Sequence, residues 1–127
     1  MNRAVRALVR TRAADRCEYC QLHQDDSPLA SLHIEHIRPR KHGGSDEDPN
    51  LCLACIDCNL RKGSNLTGID PETDAVTSLF HPRQQLWDEH FIREGFEVAG
   101  KTDIGRTTVR VLCMNSEERI ELRIASC

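Results

Sequence analysis

Aromatic side chains are scarce in this sequence: three Phe, one Trp and one Tyr among 127 residues. A core built mainly on aliphatic chains, with Tyr19, Phe80, Trp87, Phe91 and Phe96 to help, is modest, and small cores are commonly stapled by metal. No apolar run approaches the ~18 residues that a membrane-spanning helix needs. The opening Met1-Asn2-Arg3-Ala4-Val5-Arg6 is too polar for the apolar centre of a signal peptide. An excess of positive charge is also missing. The net charge is −3; residues 1–64 carry ten Lys/Arg against nine Asp/Glu, and residues 65–127 carry seven against eleven. Charge alone therefore excludes a broad electrostatic grip on phosphates and leaves room for a local basic surface. There is no internal repeat and no low-complexity tract. These absences predict one domain's worth of soluble chain, with no membrane contact, in a reducing cytoplasmic setting.

Cysteine, by contrast, is plentiful. The chain has seven, and in a reducing compartment paired cysteines read as metal ligands rather than disulfides. Cys17-x-x-Cys20 and Cys55-x-x-Cys58 each have the spacing that turns two thiolates onto one tetrahedral ion. The 34 residues between the pairs exceed what a compact ribbon requires. A loop and a histidine-bearing strand occupy the excess. A structural Zn²⁺ held by all four thiolates is expected, with buried unliganded thiols as the weaker alternative. Cys52 falls three residues before Cys55, but inside the apolar run Leu51–Ala54 it reads as core. Cys113 and Cys127 have no close partner.

Residues 2–15 place Ala4, Leu8, Val5 and Val9 at helical spacing with arginines between, predicting an amphipathic helix whose arginines form a solvated face or track a phosphate backbone. Residues 21–28 have turn composition. Leu29 to Ile37 reads as a strand ended by Pro39, residues 40–50 as a polar loop with Gly43 and Gly44, and Leu51–Ala54 as a short return strand. A helix beginning near Asp57 stops at Gly63. Beyond it, residues 69–80 predict a small hairpin, 81–91 a loop into a short turn or strand, and 96–99 an alternating strand. Residues 103–114 have helical spacing. Ser116 is placed to cap a last helix, although Ile120, Leu122 and Ile124 also fit a strand period.

The combination C-x2-C…I-E-H-I-x-P…G-G…N-L-x-L-A-C-x-x-C-N-x-x-K-G, from Cys17 to Gly63, resembles the ββα-metal (His-Me) finger of HNH endonucleases. The acidic residue before the histidine is Glu35 here rather than the more widespread Asp, a departure many of these proteins share. The tail, from Ile69 through His81, Trp87, His90 and Phe91, together with Gly105-Arg106-Thr107-Thr108-Val109, looks like the extension of small free-standing bacterial HNH proteins. The resemblance implies an α+β fold, with residues 1–64 as a zinc-stapled nuclease core and residues 65–127 as an extension packed on it.

Hydrolysing a phosphodiester at neutral pH needs a base for water and a cation for the charge that develops on the leaving oxygen. By the resemblance His36 is the general base, Glu35 and Asn59 hold one divalent ion such as Mg²⁺ or Mn²⁺, and Asn50 bonds backbone across the loop to fix the histidine. Arg38, Arg40, Lys41, Arg61 and Lys62 surround this centre in sequence and are the expected phosphate contacts. His33 shares Glu35's strand face but reads as an orienting or surface residue, and His42 as solvent-facing. His81, His90, Trp87 and Phe91 read as packing residues. The implied activity is cleavage of DNA. Two other classes fit parts of the sequence. One is a catalytically silent zinc-dependent module binding nucleic acid or, through its acidic tail, protein; the other is a redox or zinc sensor using the spare cysteines.

Overall fold

A computed structural model describes residues 1–27 and 29–127. Asn2 caps the first helix, α1 (Arg3–Arg12), by accepting from the Val5 N–H, as a short polar side chain does at a helix start. Of the expected apolar stripe, Val9 is buried and Val5 half-buried, whereas Ala4 and Leu8 face out. Arginines take up the difference. Arg10 donates to the Leu32 carbonyl at 2.9 Å, and Arg12 reaches Asp48 and the Leu51 carbonyl. The expected turn at 21–28 contains a 3-10 turn at Gln24–Asp26; its Pro28 lies outside the described residues.

Strand β1 (His33–His36) is shorter than the predicted 29–37. It pairs antiparallel with β2 (Leu51–Ala54), setting Glu35 opposite Cys52 and His36 opposite Leu51. Only a strand buried along its whole length reads as a continuous apolar run, and β2 is such a strand. Helix α2 (Ile56–Lys62) follows at once, capped by the Cys55 sulfur.

The rest of the chain adds two more antiparallel hairpins: β3 (Thr67–Ile69) with β4 (Val76–Ser78), and β5 (Phe91–Glu94) with β6 (Glu97–Gly100). A single helical turn, α3 (Trp87–His90), leads into β5. Helix α4 (Asp103–Val111), capped by Thr102, packs across both hairpins. The last segment is helix α5 (Glu117–Ala125), capped by Ser116 with Glu117 and Glu118 in its first turn. Helix, not strand, wins there because the cap and the acidic first turn act together. The architecture is α+β, and among the described residues no helix is long and apolar enough to cross a membrane.

One buried cluster runs through the molecule, joining Val9, Tyr19, Leu53, Phe80, Phe91, Leu112 and Met114. Aromatic contacts knit it across the chain. Phe80 lies edge-on to Tyr19 and to Phe91, Trp87 stacks on Phe91, and the Trp87 Nε1–H donates to the Tyr19 carbonyl at 2.7 Å. Asp70, fully buried, is held by Arg106 of α4 at 2.8 Å. Helix α4 lies against the end of α3 so closely that a Cβ at Gly105 would stand 1.9 Å from the His90 carbonyl oxygen. Gly105→Ala should therefore force backbone apart and lower stability by about 1–3 kcal/mol, read as a reduced urea midpoint at unchanged slope.

Candidate active site and metal centre

The four paired cysteines come together. Their sulfurs all lie within 4.8 Å of one another and all four residues are buried; Cys20 and Cys55 Sγ are 3.7 Å apart. A tetrahedron with Zn–S bonds of ~2.3 Å has edges of ~3.8 Å, so the quartet fits zinc. The Cys20 N–H points to Cys17 Sγ and the Cys58 N–H to Cys55 Sγ, so each knuckle supplies a backbone donor to a sulfur. Burial pushes the Cys17 and Cys58 thiols well up, and a divalent ion reverses this by binding the thiolate form.

A residue that no spacing rule could find completes the centre. Arg119 of α5 is buried and donates to Cys58 Sγ at 2.9 Å and to the Leu112 carbonyl at 2.6 Å, with Cys55 Sγ 3.7 Å away. Burial alone would lower its pKa, but the charges of Cys58, Cys20 and Cys55 drive it up. Four thiolates on one Zn²⁺ leave two net negative charges, and Arg119 offsets one of them. Cys52 is buried in β2 beside Tyr19 and takes no part in the quartet, and Cys113 and Cys127 stand apart from it.

The second centre lies where β1 frays. Glu35, His36 and Asn59 line one open cleft of about 240 Å³, together with Ile34, Pro39, Arg40 and Gly63. Strand alternation turns Glu35 inward, and only 7% of it is exposed. Among the described residues its Oε1 is a buried oxygen with no hydrogen-bond partner, and its Oε2 has only the Cys52 sulfur at 3.9 Å. Desolvation pushes its pKa from 4.5 to about 7, against the opposing pull of Lys62 and Cys52. The Asn59 carboxamide, on the first turn of α2, makes no hydrogen bond among the described residues. A desolvated carboxyl oxygen without a donor and a free carboxamide oxygen are hard ligands suited to a divalent cation such as Mg²⁺.

Asn50 closes the loop between the strands. Its Oδ1 accepts from the Arg38 N–H at 2.8 Å, and its Nδ2 donates to the carbonyls of Arg38 and Ser45 at 2.9 and 2.8 Å. Gly44 packs so tightly here that a Cβ would stand 1.7 Å from the Arg38 oxygen. The imidazole of His36 meets a group the sequence pattern did not single out: Nε2 lies 2.6 Å from Asp46 Oδ1.

Arg38, Arg40, Lys41 and Arg61 are exposed. Arg38 donates to the His42 carbonyl, and Arg40 clamps Asp46. Lys62 requires a correction. Expected at the phosphate surface, it is 2% exposed, and its Nζ donates to the Ile37 carbonyl at 2.9 Å. An ammonium so enclosed acts on Glu35 through its charge. His33 is exposed. His42 bonds the Ser64 carbonyl, and His90 bonds Thr102 and rests edge-on to Phe80. His81 accepts from the Arg83 and Gln84 N–H groups, and its burial lowers its pKa.

Residues 17–65 match the family model described as HNH endonuclease, and the clustered cysteines fit the zinc-knuckle form of that family. No curated protein matches the chain, and no solved structure does.

Arg119→Met should leave the ligands in place yet weaken zinc binding about 10–100-fold, measured by chelator competition. Glu35 makes a separate forecast. A carboxyl with a raised folded pKa favours the folded state only while protonated. Without a divalent ion, its contribution is complete below pH 4.5 and is lost as pH rises to about 7. The loss is at most about 3 kcal/mol. Glu35→Gln should flatten that part of the stability–pH curve.

Proposed function

With the HNH endonuclease match over residues 17–65 as premise, we propose that this chain is a metal-dependent endonuclease hydrolysing DNA phosphodiester bonds, with His36 as general base. One observation carries this reading. Glu35, His36 and Asn59, drawn from β1 and α2, line a common cleft in which a buried Glu35 oxygen lacks a donor among the described residues.

Glu35 and Asn59 would hold Mg²⁺ or Mn²⁺, which when bound supplies Lewis-acid stabilisation of charge on the phosphate and the departing 3′ oxygen. His36 removes a proton from water, and the water oxygen bonds to phosphorus as the bond to the 3′ oxygen breaks. The products are a 5′-phosphate and, after the leaving oxygen gains a proton from solvent, a 3′-hydroxyl. Asn50 keeps the β1–β2 loop closed around His36. Arg38, Arg40, Lys41 and Arg61 meet backbone phosphates, which position the duplex without reading its bases.

The near-neutral first half and acidic second half make affinity for DNA modest and salt-dependent. The rival reading, a silent zinc-dependent binding module, differs in one measurement. Incubated with supercoiled plasmid and Mg²⁺ or Mn²⁺, the protein should nick or linearise it. His36→Ala should cut the rate by about 10²–10⁴-fold while retaining zinc and its melting transition. Undiminished cleavage by that variant would remove His36 as the base; DNA binding without cleavage by the unaltered protein would favour the rival.

A further inference from the structure

We propose that Asp46 is a positioning residue for His36: its carboxylate fixes the imidazole as the Nε2–H tautomer and leaves Nδ1 as the basic nitrogen. The inference rests on the nuclease reading for its catalytic meaning, and on the loop geometry for its structural content.

The placement of Asp46 is built in steps. The Asn50 carboxamide spends both hydrogens and its oxygen on the loop, one hydrogen going to the Ser45 carbonyl at 2.8 Å. The Gly44 N–H closes on the Pro39 carbonyl at 3.0 Å. With Ser45 fixed, its neighbour Asp46 projects back over β1, and Oδ1 comes to 2.6 Å from His36 Nε2. Arg40 holds the carboxylate from the other side, its Nη2 lying 2.9 Å from both oxygens and its Nε 3.2 Å from Oδ1. Hydrogen bonds from His36 first and Arg40 second keep the Asp46 carboxyl below the usual range.

The chemistry follows from the acceptor inventory. An ionised carboxylate can only accept, so the nitrogen facing it must carry the hydrogen. In a neutral imidazole the lone pair then sits on Nδ1, and among the described residues Nδ1 makes no hydrogen bond. His36 lines the same cleft as Glu35 and Asn59, so on the nuclease reading its free nitrogen is the one that would take the proton from water. A carboxylate behind a histidine base also stabilises the imidazolium that forms when water gives up its proton. Arg40 is thereby committed to two tasks, since its Nε and Nη2 are taken by Asp46 and only Nη1 is left for a phosphate.

Two readouts test this. The first needs no activity: long-range ¹H–¹⁵N correlation on ¹⁵N-histidine-labelled, zinc-loaded protein, with the His36 signals assigned from their loss in His36→Ala. The unaltered protein should show an Nε2–H signal shifted downfield by its hydrogen bond. Asp46→Ala should lose that shift, and Asp46→Asn, whose carboxamide can also donate, should populate the Nδ1–H form. Absence of the shifted signal in the unaltered protein, or its persistence in Asp46→Ala, overturns the proposal. The second readout is plasmid cleavage, where Asp46→Asn should lower kcat by about 10²–10⁴-fold with KM little changed. Full kcat in that variant, or a change confined to KM, also overturns it. If the unaltered protein cleaves nothing, the nuclease reading fails, and the tautomer measurement still decides whether Asp46 orients His36.

Discussion

Four sulfurs from two distant knuckles meet in one buried spot, and the geometry of both centres descends from that meeting. The first knuckle is strapped to β2 through Glu18, whose N–H donates to the Leu53 carbonyl and whose carboxylate accepts from the Leu53 N–H. The second knuckle is the corner between β2 and α2, where Cys55 ends the strand and caps the helix. Fixing that corner fixes the direction of α2, and Asn59 stands only four residues beyond Cys55. A cation held by the four sulfurs would thus help to set where the cleft's carboxamide lies. In a protein with so few aromatics, such a tie replaces much of what a larger core would supply.

Polar groups inside the molecule sort into two kinds. Asp70 with Arg106 and Lys62 with the Ile37 carbonyl are satisfied pairs, and burial there is harmless. Among the described residues Arg12 Nε, Arg83 Nε, the Thr107 hydroxyl and Glu35 Oε1 lack partners; of these Glu35 lines the candidate cleft, a carboxyl withdrawn from water without a donor. An unsatisfied buried polar atom costs about 1–3 kcal/mol, and such departures from good packing practice concentrate where chemistry is done. Lys62 tempers the cost by its charge but bonds a carbonyl instead of the carboxylate, so the Glu35 oxygen stays open.

Much of this was legible in the residues. The cysteine pairs pointed to a metal centre because two-residue spacing turns two thiolates onto one ion, and the four sulfurs do cluster. The return strand, α2 and the cap of the last helix could be read from an apolar run, from Gly63 at a helix end and from Ser116 at a helix start. Three things were not legible. Leu29 to Leu32 looked like strand, yet only four residues find a partner, because β2 is only four residues long. Lys62 was read as a surface cation because sequence carries no sign of the backbone carbonyl that captures it. Asp46 and Arg119 act through tertiary contact alone: one is an ordinary acid among several in a loop, the other sits 61 residues from the sulfur it meets.

The interior ties bear on what counts as the working unit. The family-matched stretch ends at Asn65, but its own buried surfaces are finished by what comes later. Phe80 covers Tyr19, Trp87 bonds its carbonyl, Arg83 pairs with Glu18, and Arg119 neutralises the sulfur cage. A peptide excised at that border would carry every residue of the signature and still present bare apolar flanks and an uncompensated anionic cluster. The later segments thus complete the interior of the matched stretch.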